Sequence, residues 1–353
     1  FRKPLTGVDG QNMISKLMSF DFESGNKLAD VLLSDVLAYI PEGTPLIIVP
    51  DDSLGVVPFE MLVMNNGGKA VHDPNTVSVV DATFFGDRNP ISYYQSVTAL
   101  TLARQFSGKK AIGTRTLVMD DPVFAANDER LKNLPGDKSG RLLGNAPSQL
   151  LSIKEELGIT IPRVPLTREL GEFVQRLNSE ETDRYTGLKA AESVLLNRPL
   201  DQYGSVVFAT HGYFGKDLPG IQEPVLILTL VDQPMERDGF LKMSEVMGLR
   251  LNAGTVALTA CQTGVGRRVS GEGTMGMGRA FQYAGAKSVV MSQWSVAEKS
   301  SVEMMKSFFK HVKDGKSRLE ALHLSRKEIR EAGYDHPFFW APFILVGEVD
   351  GIP

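Results

Sequence analysis

The chain has 353 residues, 42% of them hydrophobic and 23% charged, a balance that suits a globular protein with a large core. A formal net charge of -4, with no long basic stripe, argues against a dedicated nucleic-acid binder. One cysteine excludes an internal disulfide framework and suits a reducing compartment. No apolar run approaches the ~18 residues needed to cross a bilayer. The start, Phe1-Arg2-Lys3-Pro4, lacks both an initiator Met and a signal-peptide core, so a processed chain or fragment, cytoplasmic in location, is expected.

In chain order, residues 11–40 read as a helix, with Leu17, Phe20, Leu28, Val31, Leu32, Val36 and Leu37 at helical spacing. Pro45-Leu46-Ile47-Ile48-Val49 reads as a buried strand, and Gly55-Val56-Val57-Pro58-Phe59 as a second short element. Strand and loop follow Val77, then a helix over 96–106. A subdomain boundary falls near Gly108-Lys109-Lys110, dividing the chain into 1–110 and 111–353. Arg115-Thr116-Leu117-Val118-Met119 opens the second part as a strand, stopped by Asp120-Asp121-Pro122. Residues 132–148 read as an exposed loop, and Glu169 to Leu177 as a helix. Strands are expected at Ser205-Val206-Val207-Phe208-Ala209-Thr210, Val225 to Leu230, Thr255 to Ala260 and Lys287 to Met291. Helices are expected at Gly273 to Ala284, 298–312 and 317–331, and Phe339 to Val346 closes the sheet as an apolar strand. Strands alternating with helices predict a mostly parallel sheet covered on both faces.

Two of these strands end in chemistry. The first runs into His211-Gly212 and the second into Cys261-Gln262-Thr263-Gly264. If they are parallel neighbours, thiol and imidazole emerge at one carboxyl edge, where open α/β sheets place their sites. Such a pair suffices for covalent attack on an amide. The bland alternatives are a buried cysteine acting as a small hydrophobe and a hydrogen-bonded strand-end histidine. The glycines that follow weaken both, because they allow close backbone approach and leave N–H groups free for an oxyanion. His72, His311, His323 and His336 fit a site less well, and no metal-ligand spacing appears. Gly271-Glu272-Gly273-Thr274-Met275-Gly276 matches a dinucleotide pattern, but it lies about ten residues past the strand. A glycine-rich helix start packed on the sheet is the favoured reading. Gln293-Trp294-Ser295 follows a strand end and suits peptide binding by strand addition; the alternative is a core tryptophan. Glu298 reads either as a first-turn helix acid or as an anionic specificity group. Asp120 and Asp121 end a strand, where an acid serves specificity or simply turn chemistry.

Taken together, the segments resemble the CHAT domain family, caspase-like modules often attached to tetratricopeptide repeats. The ordered pieces are Ile47-Ile48-Val49-Pro50-Asp51 with Val57-Pro58-Phe59, then Val118-Met119-Asp120-Asp121-Pro122, then Phe208-Ala209-Thr210-His211-Gly212. Asp238-Gly239-Phe240-Leu241 before Ser244-Glu245-Val246-Met247, Thr259-Ala260-Cys261-Gln262-Thr263-Gly264, Gly271-Glu272-Gly273 with Ala280-Phe281 and Ala284-Gly285-Ala286, Trp294-Ser295-Val296 and Phe339-Trp340-Ala341-Pro342-Phe343 complete the set. The resemblance implies a caspase-like three-layer α/β/α sandwich, with an N-terminal pseudo-protease half and a C-terminal catalytic half. It implies peptide hydrolysis by a His211–Cys261 dyad, without metal or organic cofactor. Gly212 and Cys261 supply the expected oxyanion N–H groups, and Gln293, Trp294, Ser295, Glu298 and Asp120 the expected substrate contacts. Family members often carry Pro-Val-Asp-Asp after the tryptophan; here the run is Ser295-Val296-Ala297-Glu298. Separases resemble this loop, where an acid meets a basic P1 side chain, and Glu298 matches that position in type. A protein or peptide substrate is expected, with a regulatory partner or upstream repeat domain, and no direct contact with nucleic acid or membrane. Arg267-Arg268 reads as a solvated loop or, if P1 is basic, a self-processing site. Two other readings stand beside the peptidase. One is a catalytically silent peptide-binding module of the same fold, and the other a nucleotide-binding enzyme using Gly271 to Gly276.

Overall fold

The computed structural model describes residues 12–73, 76–106, 112–132, 161–213, 218, 221–231, 233, 237–259 and 271–349. Eight strands form the central sheet, in the order β1 (Leu46–Ile48), β4 (Ile91–Tyr93), β13 (Phe343–Gly347), β12 (Ser288–Ser292), β11 (Thr255–Leu258), β7 (Tyr203–Ala209), β5 (Arg115–Asp120) and β6 (Thr182–Thr186). The five from β12 to β6 run parallel to one another. The other three are parallel among themselves and meet the first block at one antiparallel pair, β12 with β13. Strands from before and after residue 110 therefore share a single sheet. The expected boundary residues Gly108, Lys109 and Lys110 lie outside the described residues.

Each central strand alternates its side chains between two apolar layers. Val206, Phe208, Val256 and Leu258 pack with Ala29, Leu33, Ala280 and Phe281 on one face. Val207, Ala209 and Ala257 pack with Leu170, Val302, Met305 and Leu322 on the other. The first layer is built by the helices Phe22–Leu37 and Gly271–Tyr283, the second by Thr167–Leu177, Glu298–Lys313 and Arg318–Glu331. Burial on both faces is why these strands read as continuous apolar runs. The result is the expected three-layer α/β/α sandwich. No described helix is long and apolar enough to cross a membrane.

Several expectations are corrected. The helix over 11–40 is two helices, Met13–Met18 and Phe22–Leu37. Asp21 divides them, its carboxylate accepting the Ser24 N–H at 2.9 Å as an N-cap. Gly55 to Phe59 spans two 3-10 turns, Asp52–Val56 and Phe59–Met61. The apolar run Phe339 to Val346 holds the end of a short helix, Pro337–Trp340, and then β13. That strand sits inside the sheet, not at its edge, with all five residues buried. Val225 to Leu230 also differs. Only Val225–Ile227 is strand (β9), and it belongs to a separate antiparallel sheet with β8 (Gly212–Tyr213) and β10 (Phe240–Lys242). β2 (Lys69–Asp73) and β3 (Thr76–Val80) form a two-stranded antiparallel pair of their own. Residues 133–148 of the expected loop lie outside the described residues.

Candidate active site

The two strands that carry the chemical residues are parallel neighbours. Thr255 pairs with Ser205 and Leu258 with Phe208, and the Thr259 N–H donates to the Phe208 carbonyl at 3.1 Å. β7 ends at Ala209, and the chain then crosses to the small sheet. That crossing is fixed on Ile227: its N–H donates to the His211 carbonyl at 2.9 Å, and its carbonyl accepts the Thr210 hydroxyl. His211 is thus held by backbone bonds at the junction of two sheets.

Its ring is fully buried. Nε2 lies 2.6 Å from the Pro162 carbonyl oxygen, and Nδ1 has no hydrogen-bond partner among the described residues. A carbonyl oxygen only accepts, so Nε2 carries the proton and Nδ1 keeps its lone pair. Phe124 and Tyr213 flank the ring, with centroids at 5.3 and 6.1 Å. Burial pushes the imidazole pKa below its ordinary value, and the Pro162 bond opposes this only in part. The neutral ring can act as a base through Nδ1.

A cleft of about 160 Å³ opens beside it, lined by Pro162, Arg163 and Val164 from one segment, by Thr259 past the end of β11, and by Ser295, Val296 and Glu298. Glu298 is the first residue of its helix and is half-buried. Its Oε1 accepts N–H groups from Leu166 (2.6 Å) and Thr167 (3.3 Å), at the start of the helix Thr167–Leu177. Burial nevertheless raises its carboxyl pKa above the ordinary range. Arg163 grips Asp121 with two prongs, Nε to Oδ1 at 2.9 Å and Nη2 to Oδ2 at 2.7 Å. Arg130 reaches the same carboxylate at 2.8 Å and Asp128 at 2.6 Å. Three carboxylates (Asp121, Asp128, Glu298) thus stand against two guanidiniums (Arg130, Arg163), and Glu298 is the one without an ion pair at salt-bridge distance among the described residues.

His211, Ser295 and Glu298 therefore line one cleft. Gly212 opens β8 next to them and is opposite Leu226 in the ladder. Three expected substrate contacts are corrected. Asp120 is fully buried and bound by Arg184, at 2.6 and 3.1 Å, which neutralises it away from the cleft. A Cβ at Gly171 would collide with that carboxylate, so the neighbouring helix packs on the pair through a glycine. Gln293 is buried, with its backbone N–H on the Pro342 carbonyl. Trp294 is a core residue whose indole N–H donates to the Phe338 carbonyl at 3.1 Å. Cys261, Gln262, Thr263, Gly264, Arg267 and Arg268 lie outside the described residues. Gly271, Gly273 and Gly276 fall within the helix Gly271–Tyr283, of which Gly271 is the first residue; the segment that joins β11 to it lies outside the described residues. Among the described residues, no group of three His, Cys, Asp or Glu side chains is placed to hold a metal ion.

The sequence reading missed Pro162 and Arg163. A backbone carbonyl leaves no mark in a sequence, and Arg163 announces nothing until its carboxylate partner, 42 positions away, is known.

A family model described as the CHAT domain matches residues 23–348. Tetratricopeptide repeat protein 28 of Mus musculus is 29% identical over 120 residues, and that of Homo sapiens 28% over 120. Each alignment covers 34% of this chain and 5% of the relative's own length. Two crystal structures of the Saccharomyces cerevisiae separase–securin complex align over 76% of this chain and 14% of theirs. They show 14% and 13% identity and TM-scores of 0.39 and 0.40.

Proposed function

This chain belongs to the CHAT domain family, and we propose that it is a cysteine endopeptidase with His211 and Cys261 as its dyad. The observation that carries the reading is the imidazole itself. It is tethered by Nε2, has no partner for Nδ1 among the described residues, and sits at a cleft beside the strand that leads to the thiol. Thr259, which stands two positions before Cys261 in the chain, lines that cleft.

In the proposed reaction Nδ1 removes the thiol proton, and the thiolate attacks the scissile carbonyl carbon. The N–H groups of Gly212 and Cys261 stabilise the oxyanion. The imidazolium returns its proton to the leaving amine as the C–N bond breaks, leaving a thioester. Water, deprotonated by the same nitrogen, then releases the acid and restores the thiol. Glu298 supports a basic P1 side chain, because its Oε1 is engaged by two amides while its charge has no ion-pair partner at salt-bridge distance among the described residues.

The complete burial of His211 favours one second reading, a catalytically silent peptide-binding module or a latent enzyme that must open. The curated relatives are named for tetratricopeptide repeats, and control by such repeats or by a partner protein belongs to the proposal.

The deciding experiment is alkylation of Cys261 by a peptide chloromethyl ketone with Arg at P1. Fast labelling that is lost in His211→Gln supports the peptidase. Labelling no faster than a free thiol, in the wild type with and without a candidate repeat partner, supports the silent module.

A further inference from the structure

The stretch Pro162–Leu166 has no regular structure, yet it supplies the oxygen that holds the site histidine. Something else must fix it. Its tail is held by Glu298 at the Leu166 and Thr167 N–H groups. Its middle is turned by the Thr167 hydroxyl, which donates to the Val164 carbonyl at 2.6 Å. Its head is held by the Arg163–Asp121 pair, one residue from the carbonyl that matters.

Asp121 is built for holding. Its side chain is 1% exposed against 40% for Arg163, so the arginine comes to a fixed carboxylate. Its φ of +45° is the left-handed region, a conformation that is uncommon for a non-glycine residue. That turn, made directly after β5, sends Asp121 away from its neighbour Asp120, which pairs with Arg184. The backbone is locked as well: the Asp121 N–H donates to Thr167 Oγ1, and the Asp121 carbonyl accepts from Arg130. A two-pronged guanidinium–carboxylate pair fixes orientation as well as distance.

We propose that Asp121 is a positioning residue for His211: through Arg163 it sets the Pro162 carbonyl, and that carbonyl holds the imidazole with the proton on Nε2 and the lone pair on Nδ1. Its catalytic consequence rests on the peptidase reading; its structural content does not. Asp121 touches neither the ring nor the reacting atoms. It acts through one side chain and one carbonyl; without it the segment keeps its tail and the apolar packing of Ile161 and Val164, but loses the two-pronged hold beside Pro162.

The test reads the ring directly. Protein carrying ¹⁵N-labelled histidine, in a Cys261→Ala background that prevents self-cleavage, is observed by imidazole nitrogen–proton correlation. The His211 signals are assigned by their loss in His211→Gln. The parent is expected to show a single Nε2–H tautomer. Asp121→Asn and Arg163→Gln are each expected to give a tautomer mixture, whereas Asp120→Asn, which breaks the neighbouring buried pair, is expected to leave it pure. With Cys261 restored, Asp121→Asn lowers kcat roughly tenfold or more at constant KM, as expected for a base in the wrong tautomer. If Asp121→Asn fails to fold, Arg163→Lys is read instead, since it keeps the charge but loses the fork. An unchanged tautomer in the folded Asp121 and Arg163 variants overturns the proposal. So does an equal mixture in Asp120→Asn, which would mark general loosening. A wild type without peptidase activity defeats the enzyme reading alone, and the tautomer still decides this one.

Discussion

Acidifying the protein from pH 7 to pH 5 is expected to weaken it through His336. This ring is fully buried and uses both nitrogens: Nδ1 accepts the Phe338 N–H at 3.1 Å, and Nε2 faces the Leu17 carbonyl at 3.2 Å. The edge of Phe20 packs on it, with centroids 5.4 Å apart. A second proton would destroy the Phe338 bond and leave a charge in an apolar site. Burial accordingly lowers its pKa from 6.5 to about 3. Between those values the unfolded chain holds a proton that the folded chain refuses, so stability rises with pH across that window and is lost as pH falls. Integrated from pH 7 to pH 5, the loss is about 2 kcal/mol. His211 and His323 are shifted in the same direction, so a comparison is needed. His336→Asn keeps a capping acceptor for the short helix and has no titrating ring. Urea unfolding followed by the fluorescence of buried Trp294 and Trp340 measures both proteins at both pH values. The wild type should lose about 2 kcal/mol more than the variant. Equal losses would refute the argument.

Three further outcomes are expected. Arg326→Met leaves Glu60 buried beside Tyr93 without its cation, at a cost of about 3–5 kcal/mol. Adding Glu60→Leu should recover much of this, and strictly additive unfolding energies would contradict a coupled pair. Glu298→Gln keeps an oxygen for the Leu166 and Thr167 amides but removes the charge. Preference for basic over uncharged P1 should fall roughly ten- to hundredfold, the scale of a hydrogen bond to a charged group; an unchanged ratio in a peptide-library assay excludes Glu298 from the P1 contact. Finally, His211 stays neutral below its ordinary value of 6.5. The rise of Cys261 alkylation with pH should therefore begin below 6.5, and His211→Gln should move it toward the range of a free thiol, near ~8.5. Identical profiles would remove His211 from the reaction.

What the sequence determined by itself is the layered sheet and the meeting of two strand ends. Ser205 to Thr210 and Thr255 to Leu258 are apolar runs because neighbours cover both their faces, so composition alone betrays central strands. The residues that follow, His211-Gly212 and Cys261-Gln262-Thr263-Gly264, carry the chemistry that the sequence leads one to expect. Only the tertiary structure decided which polar groups face the cleft. Asp120 and Asp121 are adjacent and chemically alike, yet one is spent on Arg184, 64 positions away, and the other grips Arg163 beside the histidine. Trp294 reads as a groove residue until Phe338 is seen to accept its indole proton. β13 reads as a closing strand until its antiparallel pairing with β12 joins the two parallel blocks. A local pattern records how much of a residue is covered; it does not record which distant partner covers it. The Pro162 carbonyl carries this furthest, since an oxygen common to every residue becomes specific only by where the fold puts it.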